Sequence, residues 1–223
     1  DVPSKQCKVN ARQFLVGEEK ILLMAQESGT EADMIMGLKQ VINNCVLDED
    51  FDVNDLATFD LEYMFLKLRA RSVNNVVTVS YRDNEDDKVY TFNIDLNEVS
   101  MLKNENTSNI IQIDDQMGIK MKFPSASLLE QIPPDLSATE LVWYLIIKCI
   151  DQVYDEDSVY DLSTYSEEEI NEFIESLDLE TFKKIRDFFD MLPKMYYKIE
   201  YKNSLDHDRV IELTTLSDFF TWG

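Results

Sequence analysis

SEEEINEFIESLDLETFKKIRDFFDMLPKMYYKIEY, running from Ser166 to Tyr201, places two helices and a strand in one stretch. Ser166 with Glu169 three residues on forms a capping box. Ile170, Phe173, Ile174 and Leu177 follow at i, i+3, i+4 and i+7, the apolar stripe of an amphipathic helix. Asp178 can cap a second helix, whose Phe182, Ile185 and Phe189 face inward until Pro193 stops it. The period then drops to two: Tyr197, Ile199 and Tyr201 alternate with polar residues, Asn203 to Arg209 reads as a loop, and Ile211 and Leu213 return. Leu216 to Phe220 closes as a short helix that packs its aromatics back. Paired helices followed by an antiparallel hairpin predict an α+β protein.

Working toward the N-terminus, Ser137 and Glu140 form a second capping box just after the break Pro133-Pro134-Asp135. Leu141 to Ile150 is apolar nearly all round and predicts a central helix, with an acidic loop after it. Upstream, Val77, Val79 and Tyr81 alternate, as do Tyr90, Phe92, Ile94 and Leu96 across the loop Asp83 to Asp87. Met117, Ile119, Met121 and Phe123 add a further strand, so the middle third predicts a small antiparallel sheet with one wet face. The N-terminal third is helical. Glu18 to Ser28 carries the stripe Ile21, Met24 and Ala25 and stops at Gly29, and a second helix covers Asp33 to Cys45. In Phe59 to Ser72, Phe59, Tyr63 and Leu66 mark one face and Leu61, Phe65 and Leu68 another, which predicts burial on both sides. The expected division is residues 1–132, N-terminal helices plus the antiparallel sheet, and residues 133–223, a C-terminal helical domain with the terminal hairpin.

Only 5 Gly and 5 Pro occur in 223 residues that are 44% hydrophobic, a composition that folds. Acidic side chains outnumber basic ones 44 to 21, for a net charge of −23. That field repels phosphate backbones and anionic lipid, which makes nucleic acid and membranes poor partners. It either speeds encounter with a basic protein surface or serves solubility alone. Cys7, Cys45 and Cys149 lie too far apart for a zinc or redox CxxC pair and read as reduced core thiols. The longest apolar run, Leu141 to Ile147, falls well short of the roughly 20 residues a bilayer needs. No basic region followed by an apolar stretch opens the chain, so no secretory signal is expected and an intracellular origin is.

His207 is the only histidine, and between Asp206 and Asp208 it reads as a solvated loop residue with no partner nucleophile. There is no GxSxG, phosphate loop or HExxH. Asp48, Asp50 and Asp52 open like a calcium loop, but Val53 stands where Gly is needed and Phe59 where a bidentate Glu is needed. Between Asp151 and Glu180 there are twelve carboxylates and no Lys or Arg. Glu167, Glu168 and Glu169 suit the first turn of a helix, where the macrodipole favours anions. The others form either a docking face for a basic partner or a solvated surface. Phe188 lies off its helix's apolar stripe, and Tyr196 alternates to the face opposite Tyr197, so both are candidate aromatic anchors. The partner-binding candidates are therefore Asp155, Asp157, Glu168, Glu172, Glu175, Phe188 and Tyr196, with no catalytic, cofactor or metal residue expected.

EEKILLMAQES (Glu18 to Ser28), FDLEYMFLKLRARSV (Phe59 to Val73), the opening stretch Ser166 to Tyr201 and LSDFF (Leu216 to Phe220) together resemble the baseplate hub proteins of T-even-type bacteriophages. That family includes a hub component and a related hub assembly catalyst. The resemblance implies a late phage protein of the tail baseplate, assembled in the host cytoplasm, with other baseplate and tail hub proteins as partners. It implies no enzyme activity, no cofactor and no small-molecule substrate. Two alternatives stand beside a hub subunit: a transient assembly chaperone absent from the mature virion, and a metal-dependent hydrolase built on carboxylates near Asp155, Asp157 and Asp161.

Overall fold

A computed structural model describes residues 1–28, 31–103, 108–133 and 135–220. In chain order these form α1 (Val16–Ser28), α2 (Glu31–Cys45), α3 (Thr58–Ser72), β1 (Val76–Arg82), β2 (Val89–Asp95) and β3 (Ser100–Leu102). There follow β4 (Ile110–Gln112), β5 (Gly118–Met121), α4 (Ala126–Glu130), α5 (Ala138–Cys149), β6 (Ile150–Tyr154) and β7 (Val159–Asp161). The last elements are α6 (Glu167–Ser176), α7 (Leu179–Asp190), β8 (Lys194–Lys202), β9 (Asp208–Leu213) and α8 (Leu216–Phe219). The fold is α+β. Gly29 and Pro134, expected as a helix stop and part of a break, lie outside the described residues.

The chain divides into two compact units, one made of Asp1–Leu102 and the residues from Pro193 onward, the other of Lys103–Leu192. These limits differ from the boundary expected between 132 and 133. The terminal hairpin belongs with the N-terminal helices, and the strand around Ile119 belongs with the C-terminal helices. The expected single middle sheet is likewise two: β1 and β2 form their own ribbon, while β5 lies in a sheet ordered β4-β5-β6-β7.

In the first unit α3 is buried on both sides, as its two apolar faces require, with Phe59, Leu61, Met64, Phe65, Leu66 and Leu68 all buried. Phe65 stacks on Phe14 at 6.3 Å between ring centroids and meets Phe220 edge-on at 5.9 Å. The first turn is held by Asp60, fully buried, whose carboxylate accepts from the N–H of Ala57 at 3.2 Å and of Ser4 at 2.8 Å, and from the Ser4 hydroxyl. Gly37 lets α1 approach α2, because a Cβ there would lie 2.8 Å from Ala25 Cβ. β3, β8 and β9 form an antiparallel sheet in which Leu102 pairs with Lys194. The expected core stripe of α1 is corrected: Leu22 and Glu18 are buried, and Met24 is exposed. The helix turns Glu18 inward because Arg12 meets it there, Nη2 to Oε1 at 2.9 Å and Nη1 to Oε2 at 3.2 Å.

Arg12, with the Leu15 N–H, holds the Glu18 carboxyl down at about 2, against an ordinary value of 4.5. A carboxyl with a depressed native pKa stabilises the fold above its unfolded value and loses that contribution as pH falls. Stability of this unit should therefore decline between about pH 4.5 and 2 partly through Glu18. Urea midpoints measured across that range should fall less steeply for Glu18→Gln than for the parent chain, and parallel curves would refute the assignment.

In the second unit the capping boxes of α5 and α6 form as the sequence predicts, Ser137 with Glu140 and Ser166 with Glu169. Asp178 caps α7 by accepting from the Thr181 N–H at 2.8 Å. α5 is less central than its composition predicts: Ile146 and Cys149 are buried and Val142 is exposed. It runs directly into β6, and the expected acidic loop is instead the hairpin β6–β7, with Val153 opposite Tyr160. Of the three thiols expected in the core, Cys45 and Cys149 are there, and Cys7 is exposed. Burial pushes the Cys149 thiol up to about 12. Gly118 pairs with Tyr154, whose ring lies across it where any Cβ would collide. Ile119, Ile146, Ile174, Ile185 and Phe188 make the core. Phe188 is 1% exposed, stacked on Phe123 at 5.8 Å and edge-on to Phe189 at 5.4 Å. The expectation of an outward Phe188 is thus corrected: α7 buries Thr181, Ile185 and Phe188, a face rotated from the predicted stripe, and leaves Phe182 and Phe189 half-buried.

Candidate partner-binding surface

The acidic stretch 151–180 lies wholly in the second unit, and most of its carboxylates serve local structure. Asp155 closes the β6–β7 turn, accepting from the N–H groups of Asp157 and Ser158, each at 2.9 Å, and from the Tyr160 hydroxyl at 2.9 Å. Those bonds, the Asp157 N–H first, keep its carboxyl below the ordinary range. Asp161 caps the short 3-10 turn Leu162–Thr164, and Ser163 holds its carboxyl low. Glu169 is lowered chiefly by the Ser166 N–H and Asp178 by the Thr181 N–H. Asp151 pairs with Lys120 at 3.0 Å, Glu180 with Lys184 at 3.2 Å, and Glu167 with Lys148. Glu156 accepts from the Gln116 amide.

Among the described residues, the carboxylates of Asp157, Glu168 and Glu172 are the remainder: all three are exposed and none takes part in such a bond or ion pair. Glu175, also exposed, accepts from the Asn171 amide at 2.9 Å. On α6, Glu168, Glu172 and Glu175 are one turn apart, which places them on one face, away from the buried Ile170 and Ile174. Asp155 and Glu169 border a common groove of about 380 Å³, so the β6–β7 turn and α6 contribute to one surface. Five of the sequence candidates, Asp155, Asp157, Glu168, Glu172 and Glu175, are in this way gathered on two neighbouring elements. Phe188 is in the core. Tyr196 lies on β8 of the first unit, half-buried, its hydroxyl donating to Glu212 at 3.0 Å.

A second concentration of polar groups, in the first unit, was not legible as such in the sequence. The β1–β2 loop meets the β8–β9 loop, and both turn through left-handed backbone, at Asp87 (φ 59°) and Asp206 (φ 63°). Asp83, fully buried, accepts from the Tyr201 hydroxyl and from Arg209 Nε at 3.0 Å. Tyr201 holds the Asp83 carboxyl low, while burial and then Asp83 push the Tyr201 hydroxyl up to about 12. Asp86 accepts from the Tyr90 hydroxyl at 2.6 Å and from Ser204 N–H and Oγ at 2.9 and 2.8 Å. Burial opposes its ionisation, but these bonds outweigh that and hold it well below the carboxylate range. His207 is an exposed loop residue, and its Nδ1 lies 2.7 Å from Glu85 Oε1, a carboxylate that His207 lowers. The nearby Ser204 hydroxyl donates to Asp86. Each polar group ties one loop to the other, so the chemistry is that of a clamp between hairpins.

Asp48 accepts from the Asn10 N–H and amide, both at 2.8 Å, and Asp52 caps the turn Val53–Asp55, so two of the three calcium-loop look-alikes hold backbone. Among the described residues no group of three or more His, Cys, Asp or Glu side chains is placed to hold a metal ion. Among them, too, no helix is long and apolar enough to cross a membrane. Comparison with curated proteins and with solved structures finds no match. Comparison with protein families does: residues 1–221 match the family described as T4 bacteriophage base plate protein. A match over nearly the full length of the sequence, spanning both compact units, shows that the chain belongs to the T4 bacteriophage base plate protein family.

Proposed function

We propose that this protein belongs to the central hub of the baseplate and works there, as a subunit or an assembly factor, by binding other baseplate proteins without bond-making chemistry. Its family gives the coarser part of that statement, a structural or assembly role in the phage baseplate. The finer part is supported by one observation above all: Glu168 and Glu172 stand exposed and unengaged on α6 beside Glu175, although most neighbouring carboxylates have been put to local use. Spare like charges at this density repel one another, and a basic partner surface relieves that repulsion while being steered toward it. In this reading the protein is assembled in the host cytoplasm and located at the tail baseplate.

The test is co-purification with the other baseplate proteins of the same phage, followed by measured binding kinetics. Reversing Glu168, Glu172 and Glu175 to Lys together should weaken binding by about tenfold or more, mainly through a slower on-rate, and flatten its salt dependence. Unchanged affinity would remove the acidic face from the account. Tyr196→Ala in the same assay tests the aromatic candidate of the first unit. Mass spectrometry of purified virions then separates the two roles, since a subunit is present at fixed copy number and a transient assembly factor is absent.

A further inference from the structure

The groove between the β6–β7 hairpin and α6 has walls of Met117, Val153, Tyr160, Tyr165, Ile170 and Phe173. Its volume, about 380 Å³, lies at the small end of the roughly 300–1,000 Å³ usual for ligand pockets. Tyr160 and Tyr165 are 39% and 41% exposed, which is more aromatic surface than a closed core leaves in water. The rim is of one sign. Asp155 and Glu169 border the groove, each held ionised by hydrogen bonds to its own turn, and none of the described lining residues is Lys or Arg. Asp157 and Glu172, exposed two residues on from Asp155 and three on from Glu169, add negative charge nearby without lining the groove.

Apolar walls between two acidic rims define what fits. A nucleic-acid or anionic lipid ligand would meet repulsion, and a second copy of this chain would bring a charge of −23 against the same sign. We propose that the groove seats an apolar anchor, Leu, Met or Phe, from a segment of another baseplate protein in which Lys or Arg flank that anchor. Burial of the anchor supplies affinity, and the flanking cations, facing Asp155 on one side and Glu169 on the other, set its register. This rests on the reading of the protein as a baseplate binding module, and it names the chemistry of the partner at that site.

The probe is a synthetic peptide with a Leu-Phe anchor between lysine pairs, titrated into the full chain carrying labelled Ile and Val methyl groups. Shifts are expected at Val153 and Ile170, with Ile94 and Ile199 of the first unit unmoved. Tyr165→Ala and Phe173→Ala should each weaken binding by about tenfold, and added salt should weaken it further. Because Phe173 is half-buried and its loss disturbs packing, the exposed Tyr165 and the nearby charge variant Glu172→Lys provide independent arms. A peptide with Glu in place of Lys should leave the spectrum unchanged. Equal binding of the two peptides, shifts confined to other methyls, or no shifts at all would overturn the groove proposal, as would concentration-dependent self-association that moves the same methyls. Co-purification with baseplate proteins that persists while the groove ignores the lysine peptide sinks the groove alone. Loss of co-purification altogether sinks the wider reading.

Discussion

Phe188→Ala is expected to lower the unfolding free energy of the second unit by about 4 kcal/mol, the usual cost of deleting a fully buried ring. The ring is 1% exposed and lies between Phe123 and Phe189, within a core closed by Ile119, Ile146, Ile174 and Ile185. Truncation removes two aromatic contacts and leaves a cavity lined by side chains that α5, β5, α6 and α7 hold in place. Phe188→Leu refills most of that space and should cost far less, about 1 kcal/mol. Urea denaturation followed by near-ultraviolet circular dichroism measures both. A Phe188→Ala protein of unchanged stability but weakened partner binding would put the ring back at the surface, where its sequence position had suggested it.

Asp60→Ala should destabilise the first unit by about 3 kcal/mol, because three donors lose their shared acceptor at once. The N–H of Ala57 opens α3, and the N–H and hydroxyl of Ser4 fasten the N-terminal segment to that helix. Asp60 and Ala57 are buried and Ser4 is half-buried, so the Ala57 N–H in particular has no water to turn to. Ser4→Ala removes a single hydroxyl and should cost only about 1 kcal/mol. Hydrogen exchange localises the effect: Asp60→Ala should unprotect the first turn of α3, and the amides of α6 and α7 should be unaffected. A loss of less than about 1 kcal/mol for Asp60→Ala would mean that the three donors find other acceptors.

Helices were the most legible part of this fold, because their ends carry chemical markers. Ser137, Ser166 and Asp178 name their own helix starts through acceptor oxygens aimed at free N–H groups. Phase was harder. Phe188 and Met24 exchanged inside for outside relative to their stripes, since a helix of mixed apolar residues can rotate by one position without changing its pattern. In α1 the rotation follows from Arg12, six residues away in sequence, which offers Glu18 a reason to face inward. The hairpin β6–β7 was hidden because β7 is only three residues long and exposed throughout, and because its turn is a run of acidic residues closed by Asp155 bonding to its own backbone neighbours. Pairings over a hundred residues apart, such as Glu85 with His207 and Asp83 with Arg209, leave no local trace at all. The acidic face of α6 was visible as composition, but which carboxylates are spare depended on knowing which others had already found an N–H or a lysine.

Leu102 and Lys194 stand opposite each other on adjacent strands, at the points where the chain quits the first unit and comes back to it. The ninety or so residues between them are thus a cassette inserted between two paired strands, and a domain grafted at paired strand ends can be swapped without redrawing its host. A phage lineage can in this way inherit the first unit unaltered and replace the inserted unit whole in one recombination event.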